Sequence, residues 1–522
     1  MRQTKNILFI MWDQLRADYL KCYGHPTIDT PTIDALAMKG VRFSRAYCQS
    51  PVCGPSRMSF YSGRYVFSHG ATWNNVPLRV SELTLGDYLR PLGYRVAIVG
   101  ESHFLPDLEG MARLGLKVDE GIGAVVGEGG FEPWDRDDQL HPDSSDLNFK
   151  YNDYLRSKGY EGKNPWHEYA NSAEGPDHSI LSGWYMQNAR LPARVKEEHS
   201  ETAYFTNRAM EFIDDCGDAP WCLHLSYMKP HWPYIAPAPY HNLYGDNAVI
   251  PANRTPEELE NIHPVVTAFM NHDDSQAFKE ESHRRHVVPT YMGLIRQLDD
   301  HLARLIGFLE KRGLLESTMI VLTSDHGGYL GDHWLGEKEL FHEEAVRIPM
   351  IVYDPSSEAN QTRGTIDSRF VEGIDLIPTF LDALGEPPVP HRLEGRSLLP
   401  LLHGKRVSWR DAAFSEHDYG FMKARLELEL GPSQARSYMV RTERWKYVFF
   451  EGFRAQLFDL VNDPREQRDL GIDPAYDAVR SEMHERLFQW MRQRAIRTTM
   501  SDETVSQRTN TARERGIIIE IW

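Results

Sequence analysis

Four polar residues that could bind a metal ion directly follow two apolar runs of the sequence. Asp13 and Gln14 come after the first run, and Asp325 and His326 come after a much later one. Carboxylate and amide oxygens suit hard cations such as Ca²⁺ or Mg²⁺, whereas an imidazole favours Mn²⁺ or another transition metal. Taken singly, each residue has an ordinary explanation as a turn, a cap or a packed side chain. Together they predict one divalent-metal site, with Ca²⁺ or Mn²⁺ as the expected ion.

A second group of residues points to an anion beside this metal. The segment CGPSR begins at Cys53, and Pro55 is suited to the first turn of a helix that Gly54 allows the chain to enter. A helix N-terminus favours anions, and Arg57 adds a guanidinium whose geometry fits a tetrahedral oxyanion. A metal, a helix N-terminus and an arginine together indicate a site for sulfate or phosphate esters.

The elements that must position these residues are short, wholly apolar runs, which are typical of buried strands in a largely parallel sheet. A helix is predicted over 291–310, where leucines recur at three- and four-residue steps. Strands alternating with helices predict an α/β fold with a large, mostly parallel sheet flanked by helices. Ligands bind at the carboxyl ends of such strands, where His103 and His231 are also expected. The predicted strands are NILFIMW (6–12), YRVAIVG (94–100), WCLHLSYM (221–228) and TMIVLTS (318–324).

The composition and hydrophobic periodicity of the chain change twice along its length, and these changes predict its domain organisation. Residues 1–400 are expected to form the catalytic α/β domain, with an insertion near 105–200 that covers one face of the sheet and shapes substrate access. Residues 401–500 are expected to form a smaller C-terminal α+β subdomain with a hairpin, a turn and a docking helix. The arm 501–522 ends in RGIIIEIW, which either packs on its own subunit or docks on a neighbouring one.

The composition of the chain disfavours several classes of function and partner. The formal net charge is −17, which disfavours a nucleic-acid-binding surface. The five cysteines are odd in number and lack metal-ligand spacing, so we expect them to be reduced, as in a cytoplasmic protein. No apolar stretch approaches the length of a membrane span, and the N-terminus lacks the pattern of a signal sequence. We therefore expect a cytoplasmic protein without membrane or nucleic-acid partners.

The segment from Cys53 to Arg57 resembles the C-x-P-S-R signature of sulfatases, in which the cysteine is converted to formylglycine after translation. Other segments are similar to motifs of this family: WDQLRADYLKCYGHP, SYMKPHWPY, TSDHGGYLGDHWLGEKELFHEE and RWKYVFFEGFRAQLFDLVNDPREQRDL. The residues Gln14 and His326 depart from common sulfatases. They resemble a subgroup of the alkaline phosphatase superfamily that contains phosphonate monoester hydrolases, phosphodiesterases and some arylsulfatases.

This resemblance implies roles for individual residues. Hydrated formylglycine at position 53, also a metal ligand, would attack sulfur or phosphorus, while Arg57 and Lys338 stabilise charge on the non-bridging oxygens. His231 would protonate the leaving oxygen, and His103 would deprotonate the second hydroxyl so that the aldehyde re-forms. Asn75, and less strongly Asn74, falls where the family often places an asparagine that faces the substrate.

Glu101 and His103 point to different functions. Sulfatases usually have lysine at this position, and a carboxylate there should weaken the binding of a sulfate oxygen, whereas the retained His103 favours a sulfatase-like arrangement. The first hypothesis is an arylsulfatase-like hydrolase of sulfate monoesters, and the second is a phosphonate monoester hydrolase or phosphodiesterase with the same machinery. A catalytically inactive metal-binding scaffold and an alkaline-phosphatase-like enzyme with a Ser or Thr nucleophile fit less well. Expected partners are a small sulfate or phosphonate ester, a formylglycine-generating maturation enzyme, and further copies of the chain in a homodimer or homotetramer.

Overall fold

A computed structural model describes residues 4–74, 76–138, 149–511 and 514–516. Its strands, in chain order, are β1 (Asn6–Trp12), β2 (Val41–Tyr47), β3 (Arg95–Gly100), β4 (Glu132–Arg136), β5 (Ser172–Glu174), β6 (Ile180–Ser182), β7 (Trp221–Tyr227), β8 (Thr318–Thr323), β9 (Arg347–Tyr353), β10 (Thr365–Asp367), β11 (Val371–Glu372), β12 (Ala412–Asp418), β13 (Arg436–Thr442), β14 (Trp445–Phe450) and β15 (Gln456–Asp459).

The α-helices are α1 (Pro31–Lys39), α2 (Cys53–Ser62), α3 (Val66–His69), α4 (Leu85–Leu89), α5 (Leu108–Arg113), α6 (Ile122–Val126), α7 (Lys150–Ser157), α8 (Glu201–Cys216), α9 (Pro264–Met270), α10 (Asp273–Phe278), α11 (Glu281–Lys311), α12 (Glu343–Val346), α13 (Leu376–Leu384), α14 (Leu399–Leu402), α15 (Lys423–Glu427), α16 (Asp477–Gln493) and α17 (Asp502–Arg508). Short 3-10 turns connect many of these helices and strands.

The large sheet has the order β10-β2-β9-β8-β1-β7-β3-β4, and β11 also pairs with β2. Its strands are parallel except β9, which runs antiparallel to both β2 and β8. Every residue of β1 is buried, because alternate side chains enter hydrophobic clusters on opposite faces of the sheet: Phe9 on one side and Ile10 on the other. The predicted α/β class and the four predicted strands are confirmed.

Helix α11 packs on one face of the sheet and is longer than the sequence predicts. The predicted helix began at 291, where the regular apolar spacing starts, and Pro289 lies two residues before it. Proline usually breaks a helix interior. In the structure the helix continues through Pro289, and Val287, Val288 and Tyr291 are buried on both sides of it. Burial of these side chains offsets the hydrogen bond that the proline cannot make.

Part of the predicted insertion near 105–200 belongs to the sheet itself. Strand β4 pairs in parallel with β3 and forms the edge of the sheet, with Pro133 opposite Ile98. Proline is tolerated in an edge strand because one side of that strand needs no partner. Prediction missed β4 because its sequence, EPWDR, is polar and contains this proline.

The C-terminal region contains a second sheet of order β12-β13-β14-β15, with antiparallel pairing throughout. Helix α16 packs against it through Met483, Leu487 and Trp490. These elements have the hairpin and helix that the sequence predicts. The terminal run at 517–522 lies outside the described residues, so the docking arm stays a prediction.

Among the described helices, none is both long enough and apolar enough to cross a membrane. No disulfide joins the five cysteines, all of which belong to the described residues.

Candidate active site

The carboxyl ends of the central strands bring the predicted residues to one edge of the sheet. Asp13 directly follows β1, Asp325 follows β8 by two residues, and Glu101 directly follows β3. The hydroxyl of Ser324 joins two of these ends, because it donates to the carbonyl of His326 and accepts from the backbone N–H of Leu15. The convergence expected from the sequence is therefore present, and all of these residues except Leu15 are polar.

Cys53 is the first residue of α2, a helix whose residues are all buried. The sequence predicts that Cys53 lies just before the helix. In the structure the helix begins at Cys53 itself, and Pro55 is its third residue. Cys53 Sγ lies 3.0 Å from His326 Nε2, 3.4 Å from Lys338 Nζ and 3.9 Å from Asp13 Oδ1. Burial and the neighbouring Asp13 raise the pKa of the Cys53 thiol well above its usual range. Nucleophilic cysteines have lowered pKa values, so this is not the environment of a thiolate nucleophile.

Asp13, Cys53, Asp325 and His326 form a compact cluster whose potential ligand atoms all lie within 4.8 Å of one another. His326 Nδ1 is 2.7 Å from the carbonyl of Gly327, which fixes the proton on this nitrogen and leaves Nε2 facing the cluster. Burial, with Asp325 and Glu101 nearby, raises the pKa of Asp13 to about 8. Buried carboxylates that repel one another in this way need a cation to be ionised together.

Gln14 supplies a further observation that fits a metal. Its backbone has a φ of 58°, and its side chain is 2% exposed. Neither Oε1 nor Nε2 has a hydrogen-bond partner within the described part of the chain. A buried amide without a partner is costly, and its oxygen is a ligand for a hard cation. Gln14, Asp13, Asp325 and His326 are therefore a donor set suited to one divalent ion.

Arg57 differs from its expected role. All five of its N–H groups donate to acceptors of the chain itself, and its side chain has no exposed area. Nε donates to Asp325 Oδ2 at 3.0 Å, and Nη2 donates to Asp13 Oδ2 at 3.0 Å and to Glu101 Oε2 at 2.7 Å. In this structure Arg57 thus holds the metal-site carboxylates and has no free donor for a substrate oxygen.

Glu101 is also buried away from the position expected for a substrate-binding residue. One carboxylate oxygen binds Arg57, and the other lies 2.6 Å from His103 Nδ1. Burial raises the pKa of Glu101 to about 7, although Arg57 opposes this shift. The His103 side chain is 24% exposed, so it connects this buried carboxylate to the cleft. Burial and Arg57 lower the pKa of His103.

His231 and Lys338 lie together on the other side of Cys53. His231 Nδ1 is 2.8 Å from the carbonyl of Trp232, and His231 Nε2 is 2.9 Å from Lys338 Nζ. Burial and the Lys338 charge lower the pKa of His231 well below its usual value. Lys338 is 7% exposed and is therefore not a surface lysine.

Of the two asparagines expected to face the substrate, Asn74 belongs to the described residues, whereas Asn75 lies outside them. Asn74 Oδ1 accepts a hydrogen bond of 2.7 Å from the backbone N–H of Gly54, next to Cys53. A Cβ atom at Gly54 would lie 2.7 Å from Asn74 Cα, so only glycine permits this approach. Asn74, the less favoured of the two candidates, thus contacts the first turn of α2, and the role of Asn75 stays a prediction.

Three residues that support the site by hydrogen bonds were not predicted from the sequence. Ser226 Oγ accepts a 2.7 Å hydrogen bond from Arg57 Nη1, and Ser324 links β1 to β8. Both serines stand at or just past the carboxyl ends of predicted strands, so the rule that found Asp13 could have found them. The Tyr291 hydroxyl, which donates to the Gln14 carbonyl at 2.9 Å, comes from α11 and has no such signal.

The chain matches the sulfatase family model over residues 5–386 and the C-terminal model of N-sulphoglucosamine sulphohydrolase over 331–493. It belongs to the sulfatase family, within the alkaline phosphatase superfamily fold.

Individual relatives differ in function. The multifunctional alkaline phosphatase superfamily protein PehA of Trinickia caryophylli is 30% identical over 535 residues, covering 95% of this chain and 96% of PehA. An arylsulfatase of Clostridium perfringens is 26% identical, covering 89% and 90% of the two chains. The solved phosphonate monoester hydrolase of Silicibacter pomeroyi superposes with a TM-score of 0.82 at 26% identity, covering 96% of this chain and 98% of that one.

Proposed function

We propose that this protein is a metal-dependent hydrolase that cleaves sulfate monoesters, in the manner of an arylsulfatase, with a formylglycine derived from Cys53. The observation that carries this proposal is the position of Cys53 Sγ, within 4 Å of His326, Lys338 and Asp13. The raised pKa of the thiol supports a precursor rather than a thiolate in use. A maturation enzyme that oxidises the cysteine is the implied partner.

The surrounding residues divide the chemical work. Formylglycine supplies a hydrated aldehyde as the nucleophile, and a divalent cation held by Asp13, Gln14, Asp325 and His326 supplies Lewis acidity. Lys338 Nζ, which lies 3.4 Å from Sγ, donates to the non-bridging oxygens of the bound ester. Such a preorganised donor is typically worth about 3–4 kcal/mol in the transition state.

Two histidines are placed for proton transfer. His231 is held through Nδ1, so Nε2 can deliver a proton to the leaving oxygen. His103 faces the cleft from the Glu101 side and accepts a proton when the product departs. Arg57 acts through the carboxylates that it holds and is a positioning residue.

A phosphonate monoester is the second candidate substrate, and one observation favours it. The similarity to the Silicibacter pomeroyi phosphonate monoester hydrolase covers nearly the whole of both chains. Glu101 binds Arg57 and adds a negative charge beside the site. This charge disfavours doubly charged anions such as phosphate monoesters. Sulfate monoesters and phosphonate monoesters both carry a single negative charge at neutral pH, so the same site suits either.

Mass spectrometry of tryptic peptide 46–57 tests the nucleophile. Protein from its native host should contain an aldehyde at position 53, and this peptide should react with a hydrazide. Active protein with an unmodified thiol would refute the formylglycine. Rates on phenyl sulfate and on the monophenyl ester of phenylphosphonate, measured with one preparation and with a Cys53→Ala control, then decide between the two ester classes.

A further inference from the structure

Four aromatic side chains meet at the border between the catalytic domain and the C-terminal sheet, and we call them the aromatic rim: Trp73, Phe341, His417 and Phe421. The Trp73 and Phe421 rings stack with centroids 6.0 Å apart and planes 12° apart. His417 packs on Trp73 at 5.9 Å and meets the edge of Phe341 at 6.4 Å.

Two segments of the active site carry this rim. Trp73 precedes Asn74, whose side chain accepts the hydrogen bond from Gly54 in the first turn of α2. Phe341 follows Lys338 by three residues, and Lys338 Nζ lies 3.4 Å from Cys53 Sγ. The backbone segments that carry Trp73 and Phe341 therefore lead directly to Asn74 and Lys338, the residues that contact Gly54 and Cys53.

Strand β12 holds the C-terminal side of the rim in place. The backbone N–H of Glu416 donates to the carbonyl of Gln49 at 2.9 Å, four residues before Cys53. His417 is the next residue of this strand, and Phe421 lies in the turn beyond it. The C-terminal sheet thus contributes directly to the surroundings of the cleft.

Two properties of the rim are unusual for residues that serve only folding. Phe421 is 62% exposed although it forms part of an aromatic stack. His417 is 3% exposed, and neither of its ring nitrogens has a partner among the described residues. Burial alone lowers the pKa of His417 to about 3, so the ring is neutral. A buried ring nitrogen without a partner calls for an explanation, and ligand sites are commonly lined by aromatic side chains with a few polar atoms.

We propose that the aromatic rim is the subsite for the leaving group of the ester and selects an aromatic alcohol such as a phenol. The phenyl ring packs against the Trp73–Phe421 pair, and His417 offers a hydrogen-bonding nitrogen to a ring substituent or a water beside it. This inference rests on the proposed ester hydrolysis and assigns leaving-group selection to residues outside the metal site.

The test compares Phe421→Ala with wild type on the phenyl and methyl monoesters of phenylphosphonate. The two substrates share the reacting group, and only the phenyl ester can fill the subsite. We expect kcat/KM for the phenyl ester to fall about tenfold, because stacking and burial of one ring are lost, while the methyl ester is unaffected. Phe488→Ala is the matched control, since Phe488 is 51% exposed on α16 and lies outside the rim.

An equal loss on both esters would show a structural role for Phe421 and overturn the subsite, and unchanged rates on both would overturn it as well. Saturation-transfer NMR with phenol requires no turnover. It therefore tests the subsite separately from the proposed hydrolysis. Transfer to phenol that is reduced in Phe421→Ala but not in Phe488→Ala supports the subsite even in an inactive preparation. Equal transfer in both variants contradicts it.

Discussion

Glu101 forms a buried ion pair with Arg57, in which Nη2 donates to Oε2 across 2.7 Å and neither side chain is more than 2% exposed. The same guanidinium holds Asp13 and Asp325, the two carboxylates of the metal site. Glu101 therefore removes from the site a positive charge that the sequence motif alone would assign to the substrate. In the proposed reaction, the metal ion and Lys338 would match the charge of the ester.

Replacing this carboxylate should strengthen anion binding. Above pH 8, where a Glu101 carboxyl with a pKa of about 7 is ionised, we expect Glu101→Gln to lower the inhibition constant for inorganic sulfate about threefold or more, because one negative charge near the site is lost. The amide oxygen can still accept from Arg57, so the fold is retained. Steady-state inhibition measures the effect, with Glu120→Gln as control because Glu120 is 63% exposed and pairs with Lys117. An unchanged inhibition constant would show that Glu101 does not contribute to the field at the substrate.

Arg57 is predicted to support the fold as much as the reaction. Arg57→Ala leaves three buried carboxylates without their partner, which typically costs about 3–5 kcal/mol in the free energy of unfolding. Urea unfolding of metal-free protein measures this cost directly. Arg285→Ala is the control, since Arg285 is 59% exposed in a single ion pair with Glu281, and its loss should cost about 1 kcal/mol or less. Similar costs for both variants would contradict the holding role of Arg57.

Much of the fold follows from local sequence signals. The strand runs ending at Trp12 and Thr323 are apolar on both faces, which is the pattern of a buried parallel strand, and polar residues at their ends mark the ligand edge. Pattern reasoning fails where tertiary contacts override local preference. Pro289 stays inside α11 because its neighbours are buried, and β4 is a strand because β3 offers a free edge.

The candidate site was predictable by residue type but not by role. Strand ends and the CGPSR motif identify Asp13, Cys53, Arg57 and His326, because chemistry of this kind needs these side chains. That the five N–H groups of Arg57 are all used within the chain depends on three-dimensional distances that no spacing encodes. That Asn74 contacts the first turn of α2 depends in the same way on one hydrogen bond with Gly54.

Gln14 gives a prediction in which stability and metal binding change in opposite ways. Its amide has no partner in the described structure, so Gln14→Leu should leave metal-free protein equally or more stable. The dissociation constant for Mn²⁺ or Ca²⁺ should rise about tenfold or more, since even partners beyond the ligands are worth about 10–100-fold. Calorimetric titration and thermal melts with and without chelator measure both quantities. Unchanged metal affinity would remove Gln14 from the donor set.

The pH dependence of activity tests the pairing of His231 with Lys338. Burial and the Lys338 charge lower the pKa of His231, so removing the charge in Lys338→Gln should raise that pKa. If protonated His231 donates to the leaving oxygen, activity is lost as the pH rises through this pKa. The alkaline limb of the kcat/KM profile should therefore move to higher pH in Lys338→Gln, together with a lower maximum. Lys338→Arg keeps the charge and should leave the limb in place, and a limb that is the same in both variants would exclude His231 as the acid.

Glu416, beside the aromatic rim, should make the folded state less stable in alkaline solution. Burial raises the pKa of its carboxyl from 4.5 to about 8, although the N–H of Phe67 donates to it at 2.9 Å. The folded state therefore holds a proton that the unfolded chain releases, and the stability from this group is lost as the pH rises from about 4.5 to 8. Each pH unit in this window costs up to about 1.4 kcal/mol. Glu416→Gln keeps the acceptor for Phe67 and removes the titration, so urea unfolding at pH 5 and pH 8.5 should differ less in this variant than in wild type. The exposed Glu482→Gln should retain the wild-type difference, and an equal difference in all three proteins would show that Glu416 is ionised in the folded state.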